Sequence, residues 1–138
     1  MFFNFFVLFS FLRRATLLFD QMDTDGIERN SVTWTVMMQG AFEMGRYAKA
    51  LSLFQQMKHE NVRDTISYHV VISQILKQQG DIELSLKFLN EMKYEIKTNP
   101  TTEVKLKVKI YNEILSGISN KIHSSTDITP YLIPMENV

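Results

Sequence analysis

Residues 32–57 read VTWTVMMQGAFEMGRYAKALSLFQQM, and this stretch decides the fold. From Val32 to Glu43, the apolar side chains of Trp34, Met37, Met38, Ala41 and Phe42 recur at helical spacing. From Ala50 on, Ala50, Leu51, Leu53, Phe54 and Met57 form one apolar stripe, with Lys49, Ser52, Gln55, Gln56 and Lys58 on the opposite side. Gly45 lies between the two halves, where only glycine takes the left-handed helix-ending conformation cheaply. The spacing predicts two helices joined by a tight turn, followed by a linker from His59 to Thr65.

The hairpin recurs. Shifted by 35 residues, the chain aligns Ala15 with Ala50 and Ser85, and Thr16 with Leu51 and Leu86. The same shift aligns Leu18 with Leu53 and Phe88, Phe19 with Phe54 and Leu89, Met22 with Met57 and Met92, and Gly45 with Gly80. A fixed period of this length marks a stacked-repeat architecture. The second hairpin is predicted as Ser67 to Gln78 and Ile82 to Lys93, with one extra residue at the end of its first helix. One hairpin cannot bury its apolar stripe alone, but stacked hairpins bury it between neighbours. The expected fold is therefore all-α, a solenoid of stacked helical hairpins. Met37, Met38, Met57 and Met92 are read as interhelical filler, and Trp34 and Tyr68 as packing aromatics.

Both ends depart from the pattern. The first twelve residues, MFFNFFVLFSFL, are apolar except for Asn4 and Ser10 and precede Arg13-Arg14. A membrane span needs roughly 17–25 apolar residues, and a secretory signal carries its positive charge ahead of the apolar run. The segment 1–14 reads as a buried partial first helix or as an anchor or targeting element. The period pairs Phe2 with Met37, Phe3 with Met38, Phe6 with Ala41 and Val7 with Phe42, whereas Phe5, Phe9 and Phe11 fall outside those columns. A repeat domain spans 15–121, divided into a partial unit 15–30, units 31–64 and 65–99, and a partial unit or cap at 102–121. An insertion lies around Asn99-Pro100, and 122–138 reads as a loosely ordered tail.

Composition narrows function. Lysine plus arginine equal aspartate plus glutamate at 15 each, so the chain lacks an overall basic footprint. The absence of cysteine excludes disulfides, thiolate metal sites and thiol catalysis. His59, His69 and His123 are far apart, which argues against a metal site. No Ser/His/Asp, paired-carboxylate or Gly-rich phosphate pattern occurs at a usable spacing, so neither a catalytic residue nor a cofactor is expected.

The run Val32-Thr33-Trp34-Thr35-Val36-Met37-Met38-Gln39-Gly40, with Gly45-Arg46, Ala50-Leu51, Leu53-Phe54 and Met57, resembles the pentatricopeptide repeat. That family has a V-T-Y-N-x-L-I-x-G opening, a G-R turn, an E-A-L-x-L-F helix and a methionine. A weaker copy reads Ile66-Ser67-Tyr68-His69, Gly80-Asp81, Leu86, Phe88-Leu89 and Met92, and a third opening starts at Ile110-Tyr111-Asn112. Tetratricopeptide repeats carry alanine where Met57 and Met92 stand. The resemblance implies a right-handed superhelix and a non-enzymatic adaptor that binds single-stranded RNA in organellar RNA processing, stability or translation. It places the protein in the mitochondrion, with the chloroplast as the alternative.

The resemblance also implies a site. Two side chains address each base, one just after the opening aromatic and one closing the repeat. Here Thr35 and Asp64 form that pair, with guanine favoured: a carboxylate accepts from the guanine N1–H and N2–H₂ edge. Val32 and Ile66 would pack on the base faces. His69 is the reading position of the second unit, Asn30 closes the partial unit, and Asn112 is the reading position of the third. Asp64 has a purely structural reading as well, as the cap of the helix that follows. The lysines between Lys93 and Lys121 outnumber the glutamates and offer phosphate contacts. The competing function is a protein-interaction scaffold using the concave surface of the solenoid. No membrane partner is expected beyond the apolar N-terminus.

Overall fold

A computed structural model describes the backbone of residues 2–96 and 102–124, and the side chains of 7–96 and 104–124. Among them are six α-helices: α1 (Phe2–Thr24), α2 (Ser31–Glu43), α3 (Tyr47–His59), α4 (Thr65–Gln78), α5 (Ile82–Glu95) and α6 (Thr102–Ser124). The two central hairpins, α2–α3 and α4–α5, fall where the periodicity puts them. Gly45 and Gly80 turn them with φ of 72° and 59°, and Arg46 N–H reaches back to Ala41 O at 2.8 Å. The extra residue of the second unit lengthens α4 to 14 residues against 13 in α2.

The helices form a solenoid. First helices α2, α4 and α6 pack in a row; α3 packs on α2 and α4, and α5 on α4 and α6. Helix α1 packs on α2 from the position of a preceding second helix. The apolar columns meet inside. Met38, Phe42, Phe54, Met57, Tyr68 and Ile72 are fully buried, and Met92 is 1% exposed. Each opening aromatic meets the phenylalanine of the preceding second helix edge-on. Trp34 lies 4.9 Å from Phe19, and Tyr68 lies 5.0 Å from Phe54 between ring centroids. Both aromatics are therefore packing residues, as their spacing implied.

An arginine joins one hairpin to the next. Arg63 Nε donates to Phe54 O at 2.9 Å, and its guanidinium lies 3.7 Å from the Phe54 ring centroid. Its Nη1 donates to Tyr68 Oη at 3.2 Å and to Glu91 and Glu95 at 3.4 Å. Tyr68 Oη in turn donates to Glu95. Burial, reinforced by that carboxylate, holds the Tyr68 hydroxyl well above the usual phenol range. Arg29 repeats the motif one unit earlier, over the rings of Phe19 (4.2 Å) and Trp34 (5.0 Å) with a bond to Phe19 O.

The ends differ from the sequence expectation. Residues 1–14 and 15–30 were expected as separate segments, but α1 is continuous across residues 14 and 15. Ser10 occupies the column of Gly45 and Gly80, so no residue there favours a turn. The buried half-helix is also not formed as expected: Leu8 and Phe11 are more than half exposed, and only Leu12 of residues 7–14 is buried. The pairings of Phe2, Phe3 and Phe6, and the character of Phe5, lie outside the described side chains.

The third opening is displaced. Val32 and Ile66 are the second residues of α2 and α4, whereas Ile110 lies deep within α6. Ile110 is fully buried and Tyr111 is 41% exposed, so Tyr111 does not take the place of Trp34 and Tyr68. The register slips because α6 begins at Thr102, well ahead of the motif. Where a partial unit or cap was expected over 102–121, a helix runs from Thr102 to Ser124. The insertion at Asn99-Pro100 and the tail from residue 125 lie outside the described residues.

Replacing Arg63 by alanine should lower stability by about 2 kcal/mol, because it removes the donor to Phe54 O and the cation paired with Glu91 and Glu95. Arg63→Lys should recover only part of that loss, since an ammonium cannot span the same fork of acceptors. Urea unfolding followed by far-UV circular dichroism measures both.

Candidate nucleic-acid interface

Two equivalent caps open the first helices. Asn30 Oδ1 accepts from Thr33 N–H at 3.0 Å and from the Thr33 hydroxyl at 3.1 Å. Asp64 Oδ1 accepts from Ser67 N–H at 2.8 Å, and Ser67 Oγ accepts from Asp64 N–H at 3.0 Å, closing a capping box. The structural reading of Asp64 is thus realised, through one carboxylate oxygen. Thr35 follows one turn into α2 and is nearly buried at 8% exposure.

Beside the caps, apolar side chains face outward. Val32 and Ile66, one residue inside their helices, are 65% and 56% exposed, and Val36 continues the row at 60%. On α4 the face that carries Ile66 continues, at helical spacing, through Ser73 to Lys77. Those two residues line a groove of about 730 Å³ between α4 and α6. Lys105, Lys109, Asn112, Ser116 and Asn120 of α6 line its other wall. Three lysines therefore face a trough rich in hydrogen-bonding groups. Glu113 also lines it, and its Oε1 lies 2.9 Å from His69 Nε2.

The site residues named from sequence thus divide. Val32 and Ile66 are accessible, Asn30 and Asp64 are helix caps, and Thr35 sits just behind the surface. His69 is part-buried and engaged by Glu113, so it is not a freely presented reading residue. Asn112 lies in the groove, not beside a cap, because of the register slip in α6. Sequence reasoning missed the groove as a site. Its signal was the spacing Lys105, Lys109, Asn112, Ser116 on one helical face. Among the described residues no group of three or more His, Asp or Glu side chains is arranged to hold a metal, and no helix is long and apolar enough to cross a membrane.

A row of first helices backed by second helices defines the class: a helical-hairpin repeat protein. Residues 29–73 match the model of the PPR repeat family. A putative pentatricopeptide repeat-containing protein of Arabidopsis thaliana is 36% identical over 77 residues, 55% of this chain and 12% of that protein. The chloroplastic pentatricopeptide repeat-containing protein DOT4 of the same plant is 32% identical over 90 residues, 64% of this chain and 10% of its own length. A third, also chloroplastic, is 35% identical over 77 residues. The chain spans only about a tenth of these relatives' length. Residues 29–73 thus belong to the pentatricopeptide repeat family, whose members are generally organellar RNA-binding adaptors.

Because Asp64 caps α4, Asp64→Ala should cost about 1 kcal/mol, whereas Asp64→Asn should change stability by only a few tenths, asparagine being an equally good cap. Thermal unfolding of the two variants side by side checks this.

Proposed function

We propose that the chain is a non-enzymatic adaptor for single-stranded RNA in an organelle, and that the first-helix face is its binding surface. One observation carries the reading: exposed apolar residues flank the capped helix starts and run, along the same face of α4, into a lysine-lined groove. Val32 and Ile66 offer flat apolar contact to base faces. Asp64 supplies the carboxylate that addresses a guanine edge; the Thr35 hydroxyl, expected from sequence as its partner, is buried inside α2 and reaches no base. Lys77, Lys105 and Lys109 neutralise the backbone alongside.

The magnitudes favour this division of labour. One base-reading carboxylate contributes only about 1–3 kcal/mol, too little to offset the ordering of a flexible strand. Phosphate neutralisation supplies the remainder, and net neutrality of the whole chain is no obstacle because the cations cluster locally. The organellar setting follows the family. The mitochondrion remains the proposed compartment, and the chloroplastic names of two relatives make the chloroplast its alternative.

Fluorescence anisotropy with short guanine-containing and guanine-free single strands tests the reading. Lys105→Ala with Lys109→Ala should weaken binding to all strands alike and reduce the salt dependence by about one phosphate contact or more. Asp64→Asn, which keeps the cap, should selectively reduce guanine preference by about tenfold or more. No binding by the wild-type chain at low salt, or binding unmoved by either change, contradicts it.

A further inference from the structure

Between Val7 and Leu18, α1 buries only Leu12. Phe11, Leu17 and Leu18 are 58%, 61% and 64% exposed. At helical spacing, Val7, Phe11, Arg14 and Leu18 share one outward strip, with Arg13 and Leu17 along its edge. No carboxylate interrupts that strip. The first acidic residue of the chain is Asp20, and Asp23 is paired with Arg29.

Cations gather where the strip meets α3. Arg13, Arg46 and Lys49 line a cavity of about 170 Å³ with Phe9, Leu12 and Leu17. The Arg46 guanidinium lies 4.6 Å from the Phe9 ring centroid. Thr16, the other lining residue, donates its hydroxyl to Leu12 O at 2.9 Å. Among the described residues, neither these three cations nor Arg14 is paired with a carboxylate. The nearby acid, Glu43, lies on the other flank of α1, beside Leu8 and Phe11. Unpaired like charges held together favour an anionic partner, and the open apolar row between them favours a hydrocarbon one.

We propose that this part of α1 lies in the surface of an anionic phospholipid bilayer. Phe11, Leu17 and Leu18 enter the boundary between headgroups and acyl chains. Arg13, Arg14, Arg46 and Lys49 reach along the same surface to lipid phosphates, their stems resting on apolar side chains. The helix lies along the bilayer and does not cross it, in keeping with two arginines in the middle of α1 and no described helix apolar enough to span. An RNA strand fits less well. The α4–α6 groove sets its lysines among asparagine and serine side chains that can bond sugars and bases, whereas the α1 cations stand among hydrocarbon. The backbone of α1 packs on α2, while α6 packs on α4 and α5, so the two surfaces are separate. The inference rests on α1 and α3 and not on RNA binding, and its outcome is independent of the anisotropy experiment.

Flotation of the full chain with vesicles tests it, because floated protein is bound while aggregated protein sinks. Vesicles of phosphatidylcholine alone are compared with vesicles that also contain phosphatidylglycerol. The wild-type chain should float with the anionic vesicles about tenfold or more better than with the neutral ones, and added salt should erase the difference. Arg13→Ala with Arg46→Ala should lower binding to anionic vesicles by about tenfold or more and leave neutral vesicles unaffected. Phe11→Ser with Leu18→Ser should lower binding to both. All four side chains are exposed, and circular dichroism confirms that each variant keeps its helices. A wild-type chain that ignores anionic vesicles overturns the proposal. So does vesicle binding lost through Lys105→Ala with Lys109→Ala instead, or an RNA affinity that falls as far as lipid binding in the Arg13 and Arg46 variant.

Discussion

The buried guanidinium of Arg63 holds the linker between the two central hairpins, and the rest of the solenoid is registered against it. A hairpin turn fixes two helices relative to each other, but nothing in a five-residue linker fixes one hairpin relative to the next. Arg63 does so by bonding to the carbonyl of Phe54 at the back of α3, lying over that residue's ring, and reaching Tyr68 on α4 and two glutamates on α5. Three helices meet on one cation. Because Arg63 immediately precedes Asp64, the same anchor sets where α4 begins and how its capped end is presented. Arg29 and Asn30 repeat the arrangement at α2, with a longer and more open contact.

This anchoring separates two duties that share the same residues. Asp64 holds Ser67 N–H to start the helix, and under the proposed function the same carboxylate addresses a base. The two uses do not compete: a cap engages one oxygen, and a fixed cap is a better-ordered recognition group than a free side chain. The exposed valine and isoleucine beside the caps are costly in water and inexpensive against a base face. Placed at the second residue of α2 and of α4, they recur at the spacing of the repeat.

The charge distribution also acquires meaning only in three dimensions. The chain is neutral overall, but its acids gather at the end of α1 and its lysines along α6. One face of α6 turns lysines to the groove while another turns apolar side chains outward. A single helix thus serves as a wall of the groove and as the carrier of an exposed apolar row.

The hairpins were legible in the sequence because their causes are local and periodic. Glycine at 45 and 80 can turn the chain where few other residues can, and the methionine and phenylalanine columns at 35-residue spacing have only one way to be buried together. Asn30 and Asp64 as helix starts follow from the same local chemistry. The register of α6 was not legible. Tyr111 carries the opening motif, but a helix begun at Thr102 turns it outward, and that choice is made by what α4 and α5 leave for α6 to bury. Nor could the chain alone reveal that α1 runs straight through Ser10, that His69 meets Glu113 from another helix, or that Arg63 and Glu95 close on one another. Periodicity and turn chemistry act within a few residues and are written in order along the chain. Contacts between distant segments depend on which surfaces remain uncovered once the hairpins have stacked, and only the tertiary structure decides that.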